Sequence, residues 1–249
     1  MSVNKSIYEK FIIESADQER TADISAGVLA FTYFENIFSP FITAKVIVTN
    51  TGGTIKGKDG VLQSIYNGLP LRGGERVIIK IAGNSKVNKG LDFSKNPENY
   101  FHVASITNVL IDEGSETFTL NLVSREAITN ETVRVGKRFP TSQKISDSVE
   151  DICKNYLSSD KLYDNDETEN PYGFIGNMKK PFTVLTWLAS KSVPSKVAKG
   201  GSTAGYFFFE TQKGFRFKSV DQLIDQDPYE ETYIYTIKGL YTKWQKVLL

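Results

Sequence analysis

The stretch FHVASITNVLIDEGSETFTLNLVS, residues 101–124, decides the class of fold. Phe118, Leu120 and Leu122 alternate with Thr117, Thr119 and Asn121, the period-two pattern of a strand with one apolar and one polar face. The acidic, glycine-bearing DEGSE between the two halves supplies the turn. Strands joined by so short a turn pair antiparallel. The same signal recurs upstream. YEKFII and VLAFTYF are rich in aromatic and β-branched residues. In FITAKVIVTN, Ile42, Ala44, Val46 and Val48 share one face, and in ERVIIKIAG Val77, Ile79 and Ile81 do. Residues 1–125 therefore read as one β domain, an antiparallel sheet or small barrel wetted on one side.

From residue 126 to 204 the period changes. SQKISDSVEDICKNYL places Ile145, Val149, Ile152, Cys153, Tyr156 and Leu157 on one helical face, with Ser142 as the expected N-cap. PFTVLTWLASKS predicts a second helix beginning at Pro181, where proline suits the first turn. Between them, SSDKLYDNDETENPYG is polar and acidic. Asp164, Asp166 and Thr168 alternate like the start of a calcium loop. The sixth position is Glu169 instead of glycine and the twelfth is Ile175 instead of glutamate, so a solvated surface loop is expected. VAKGGSTAG, residues 197–205, reads as a flexible boundary. Residues 205–249 return to β patterning: an aromatic hairpin turning at Lys213-Gly214, a capping box of Ser219 with Gln222, and a strand in ETYIYTIKG. The expected class is α+β, mainly antiparallel β with a helical insertion.

Composition narrows the chemistry. The chain has 249 residues and a formal net charge of +1, so no bulk electrostatic drive toward nucleic acid or an anionic membrane exists. Cys153 is the only cysteine, which rules out an internal disulfide and fits a reducing compartment. Its place on an apolar stripe reads as a small hydrophobe. His102 is the only histidine, which removes His-pair metal sites and leaves a structural strand histidine as the plain reading. No signal peptide or apolar span is visible, so a soluble chain is expected. TGGTIKGKDG, residues 51–60, has the glycine and lysine spacing of a phosphate loop. Asp59 stands where the magnesium-binding hydroxyl belongs, and no crossover helix follows. The reading there is a loop leading into a short helix.

LQSIYNGLPLRGGERVIIKI, followed by residues 100–153, resembles the baseplate hub protein of contractile-tailed bacteriophages. The shared order is apolar helix, Pro- and Gly-bearing loop, strand entered at Gly74-Glu75, long hairpin, and a segment around Arg134 to Phe139. A helix near Ile145, a helix bearing Trp187-Leu188 and the aromatic hairpin complete it. The resemblance implies tube-type β-barrel domains, 1–125 and a second beginning at 205–249, around the helical region. It implies a homotrimer closing into a pseudo-hexameric ring between a hexameric tail tube, or its initiator proteins, and a trimeric spike. Baseplate wedge proteins would lie near, and the genome would pass through the channel without specific recognition. The place would be the virion baseplate, assembled in the host cytoplasm. Members are usually longer, with more of the second β domain.

No catalytic residue, cofactor, metal or membrane contact is implied. The interface candidates are Leu69, Pro70, Leu71, Gly73 and Gly74 in one loop and Lys137, Arg138 and Phe139 in another, with plain surface loops as the alternative. Rival readings are a hub-like part of a type VI-like injection apparatus, a paired-carboxylate glycosidase, and a carbohydrate- or protein-binding module using Tyr206, Phe207, Phe208, Phe209, Phe215 and Phe217.

Overall fold

The structure is a computed structural model and describes residues 6–56, 60–84, 90–196, 205–227, 232–237 and 240–245. Gly57, Lys58 and Asp59 of the phosphate-loop pattern lie outside these, as does most of the 197–205 boundary. The first half contains β1 (Ile7–Glu14), β2 (Thr21–Asp23), β3 (Val28–Phe34), β4 (Thr43–Thr51), the two-residue strands β5 (Ile55–Lys56) and β6 (Leu62–Gln63), and α1 (Ile65–Gly68). β7 (Arg76–Ala82), β8 (Gly90–Asp92), β9 (Phe101–Asp112) and β10 (Ser115–Ser124) follow. The second half runs α2 (Arg125–Thr132), β11 (Arg138–Phe139), α3 (Ile145–Asn155), β12 (Leu162–Asn165), β13 (Phe174–Ile175) and α4 (Pro181–Ala189). It continues with β14 (Tyr206–Thr211), β15 (Gly214–Ser219), α5 (Val220–Ile224), and the pair β16 (Thr232–Ile237) and β17 (Leu240–Gln245). The fold is mostly antiparallel β with a few short helices.

The main sheet has the order β2-β1-β7-β9-β10-β4-β3, with β8 on β7. Every pairing in it is antiparallel, and the 101–124 hairpin lies at its centre. The alternating residues that predict these strands form the core: Phe11, Ile13, Val46, Val48, Val77, Ile79, Phe118, Leu120 and Leu122 are buried together. Each such side chain contributes about 1.5–3 kcal/mol relative to exposure. β2 and β3 stand at opposite ends of the sheet, yet residues 24–27 link them directly, which the chain spans only if the sheet curls. The curl brings Phe31 edge-on to Phe11 at 5.6 Å, and the Ile24 N–H donates to Phe11 O. Among the described residues no strand pairing joins β2 to β3, so the path is open.

A second core joins α3, α4 and the aromatic hairpin: Val149, Ile152, Cys153, Phe182, Leu185, Leu188, Phe208, Phe215 and Phe217. The hairpin thus shares its core with the preceding helices. The short helix expected after the 51–60 loop is the four-residue α1, which follows β6 and is capped by Ser64 Oγ accepting from Asn67 N–H. Two local expectations change. Ser142 does not cap α3, whose N-cap is Lys144. The Ser146 N–H is instead satisfied by Thr168 Oγ1, 3.1 Å away on a distant segment. The acidic stretch is not simply solvated, because it contains β12, which pairs parallel to β15.

Candidate functional site

The distal half of β9 is exposed. β10 pairs with β9 along its whole length, but β7 pairs with it only at Phe101 and His102, and the Gly74–Glu75 backbone bonds to it only at Val103. From Ala104 to Asp112 one backbone edge has no strand partner among the described residues, and every side chain is exposed or half-exposed. Ordinary edge strands are guarded by lysine, proline or brevity. This one carries no lysine and no proline, and ends on Leu110 and Ile111, 70% and 58% exposed. Its irregularity is a bulge where Asn108 adopts φ +52°. Among the described residues β3 pairs only with β4 and so offers a second edge, with Leu29 and Phe34 exposed.

The two cores meet at a buried charge cluster. Glu126 from α2 and Glu210 from β14 are wholly buried, and both face the ammonium of Lys161, at 2.8 Å and 3.5 Å. Ser159 Oγ donates to Glu126 at 2.7 Å, and Arg125 reaches the same carboxylate at 3.0 Å. Glu210 Oε2 accepts the N–H of Ile42, at the entrance to β4, at 3.0 Å. Lys161 is delivered by Gly214, whose φ of +128° and missing side chain let Lys161 O accept the Phe215 N–H at 2.9 Å. A Cβ on residue 214 would sit 2.3 Å from that oxygen. Phe41 stacked on Phe182 and Phe38 edge-on to Phe207 flank the junction. The void beside it is about 10 Å³, room for one water at most, so this carboxylate pair has no space for a substrate.

Burial, opposed by Lys161 and reinforced by Glu126, pushes the Glu210 carboxyl up to about 7. A raised carboxyl pKa means the folded state binds the proton more tightly. Its contribution to stability is therefore complete below about 4.5 and is lost as pH rises through about 7. The expected loss is about 3 kcal/mol across that window. Denaturant midpoints measured between pH 4.5 and 7.5 check this: the native chain should weaken with rising pH and Glu210→Gln should be flat. Parallel curves for the two proteins would refute the assignment. Asp164 behaves oppositely, since hydrogen bonds from Arg216 and Lys218 outweigh its burial and hold it low.

Asp164 and Asp166 are not cation ligands in waiting. Lys218 Nζ bridges them at 3.0 and 2.8 Å, Arg216 adds contacts of 3.0 and 2.7 Å to Asp164, and Ser219 N–H donates to Asp166. His102 sits opposite Arg76 and Val123, and burial lowers its pKa. Burial pushes the Cys153 thiol well up, which makes it inert. Tyr206, Phe208, Phe215 and Phe217 are buried in the second core, Phe209 is buried on the other face of the strand under Arg216, and Phe207 is half-buried against Phe38, so the six form no open aromatic platform.

The predicted interface residues divide. Leu69 and Leu71 are core residues, while Pro70 and Gly74 face outward and Gly73 is half-buried. Gly73 and Gly74 have φ of +117° and +90°, so the loop needs glycine there. The N–H groups of Arg72 and Gly73 wrap the buried Glu75 carboxylate, which fixes the strand entrance. Phe139 is buried and stacks on Phe174 at 4.3 Å, Lys137 pairs with Asp151 at 2.7 Å, and Arg138 is exposed. The Gly73–Gly74 loop lies at the start of the open β9 edge, where the Gly74 N–H donates to Val103 O at 2.7 Å. That edge was hidden in sequence because an edge and a central strand share the same alternation.

No family model and no curated relative matches this sequence. Its fold is similar to that of the 43 kDa tail protein of prophage MuSo2 from Shewanella oneidensis, with TM-score 0.53, 11% identity, 86% of this chain and 53% of that chain covered. A tail protein from Neisseria meningitidis aligns with TM-score 0.47 and 8% identity, over 84% of this chain and 49% of that one. An Escherichia coli component of the type VI secretion system, described as similar to T4 bacteriophage tail proteins, aligns with TM-score 0.43 and 10% identity, over 95% and 55%. The chain thus spans about half the length of the structures it matches. Its fold is one carried by a phage tail protein, the class to which the sequence resemblance points. Among the described residues no helix is long and apolar enough to cross a membrane.

Proposed function

We propose that this chain is a structural subunit of a contractile tail, a baseplate hub whose copies close into a ring. The observation that carries the reading is the edge of β9 from Ala104 to Asp112, which has no strand partner among the described residues, carries no lysine or proline, and is interrupted by one bulge at Asn108; it is a surface suited to pairing with a strand of another chain. β3 supplies a second edge, and pairing one subunit's β9 with the next subunit's β3 is heterologous, which yields a closed ring when the rotation closes. The curled sheet, whose ends are joined by residues 24–27, supports a tube-type barrel as the repeating unit. The trimer, its pseudo-sixfold symmetry, the tail tube above, the spike below and wedge proteins alongside follow from the hub reading, as does passage of the genome through the channel of a virion assembled in the host cytoplasm. The work of such a protein is symmetry matching and needs no catalytic group.

Sedimentation of the purified chain over a range of concentrations tests it. A trimer that grows no further is expected. The double substitution Leu110→Lys, Ile111→Lys should leave the fold intact and return the protein to monomer, because two ammonium groups at the edge repel a neighbour. A native chain that remains monomeric at every concentration, or a doubly substituted chain that still forms the trimer, would count against this edge as the assembly surface.

A further inference from the structure

On the outer side of the second core, a groove of about 240 Å³ opens between β13 and α4. Phe174 and Val184, both buried, form its floor, and Trp187, 38% exposed, forms one wall. The Trp187 ring is held edge-on by Tyr172 and Phe174 at 5.6 and 5.5 Å, and its indole N–H bonds to no described residue. Ile175 forms the other wall and is 55% exposed; Met178 beside it is 65% exposed. Asn177 and Met178 have φ of +49° and +55°, a left-handed pair that a methionine rarely adopts. Backbone cost of this kind gathers at binding sites.

The backbone of β13 indicates what fits. Among the described residues its one strand partner is β11. The Gly176 N–H donates to Lys137 O at 3.1 Å, which makes Arg138 and Ile175 a non-hydrogen-bonded pair of that ladder. The Ile175 N–H and C=O therefore point away from β11. An outward donor and acceptor on one residue is the pairing unit of an extended polypeptide. Charge narrows the choice further. Residues 134–139 and 176–183 carry Arg134, Lys137, Arg138, Lys179 and Lys180 and no acid. Lys137 and Lys180 are taken up by Asp151 and Glu131. Lys179, which lines the groove, and Arg138, which shares a strand face with Ile175, make no ion pair among the described residues. Uncommitted cations beside an apolar floor complement carboxylates that flank an apolar side chain. A nucleic-acid strand could use the cations and Trp187, but it lacks the amide donor and carbonyl acceptor that Ile175 calls for. We infer that this groove binds an extended acidic segment of a partner protein. Its backbone pairs with Ile175, an apolar side chain lies on Phe174 and Val184 beside Trp187, and its carboxylates meet Lys179 and Arg138. Neither β9 nor β3 lines the groove, so the inference is independent of the ring reading and of its sedimentation test.

Trp187 fluorescence in a Trp244→Phe chain reads the test, with acetyl-Glu-Asp-Leu-Phe-Asp-Glu-amide as the probe. The comparisons are the same peptide with lysine at its acidic positions, the same peptide N-methylated at leucine and phenylalanine, and a thymidylate octamer. A saturable change is expected with the acidic peptide. Binding should be at least tenfold weaker for both altered peptides, and for the acidic peptide in the double variant Arg138→Glu, Lys179→Glu. Both side chains are exposed, so that variant should fold. Lys179→Glu alone stands in should it not, and should weaken binding severalfold. Absence of saturation, equal binding of the lysine or N-methylated peptide, or unaltered binding in the folded variants would overturn the inference. So would tighter binding of the thymidylate octamer, which would make this a nucleic-acid site.

Discussion

Replacing Lys161 with methionine is expected to cost the protein about 3–5 kcal/mol at neutral pH, a large share of the stability of any domain. The stem volume is nearly conserved, so the loss would come from charge and not from a cavity. Lys161 is the ammonium shared by Glu126 and Glu210, and both carboxylates are buried, at 0% and 2% exposure. Without it, Glu126 keeps Arg125 and Ser159, while Glu210 keeps the Ile42 N–H. Neither contact compensates a second negative charge in the same small space. Denaturant unfolding at pH 7 gives the number. The deficit should shrink near pH 5, where Glu210 in the folded state holds a proton. Combining the change with Glu126→Gln and Glu210→Gln should recover most of it, because a neutral cluster has no charge to compensate. A midpoint unmoved by the single substitution would show that the cluster contributes nothing to holding the two cores together.

Phe215→Ala should cost a similar amount, about 3–5 kcal/mol, for a different reason. Phe215 is fully buried, stacks on Phe208 at 5.2 Å and meets Phe182 of α4 edge-on at 6.0 Å. Truncation leaves a void between the hairpin and a helix that precedes it in sequence. The consequence can be read from Trp187, which lies on α4 against Tyr172 and Phe174. In a Trp244→Phe background, unfolding followed by Trp187 fluorescence should shift by the full amount. A Trp187 transition that stays in place while the hairpin melts would mean that helices and hairpin are independent units.

Much of this arrangement was legible in the sequence. The alternation at 117–122 and at 42–48 predicts strands that the structure places side by side, β10 against β4. The helix at Pro181 begins where proline marks it, and Ser219 Oγ caps α5 through the Gln222 N–H. Other features were out of reach. Ser142 has the right side chain for a cap, but the bond that matters comes from Thr168, a residue 22 positions beyond Ser146. Leu69 and Leu71 look like an exposed loop beside proline and glycine, yet the fold turns them into the first core. The acidic run has the composition of a surface loop. Only the return of Arg216 and Lys218 makes Asp164 and Asp166 members of a closed ion-pair network.

Sequence alone settled the long strands of the main sheet, the helices beginning at Ile145 and Pro181, and which of their faces are apolar. Those properties follow from backbone geometry and side-chain spacing within a few residues. Tertiary structure alone decided that β12 runs parallel to β15, that Glu126, Lys161 and Glu210 converge, and that β9 parts from β7 after Val103. Each depends on where distant segments return, and a central strand and a free edge carry the same local pattern until the neighbour is placed or missing.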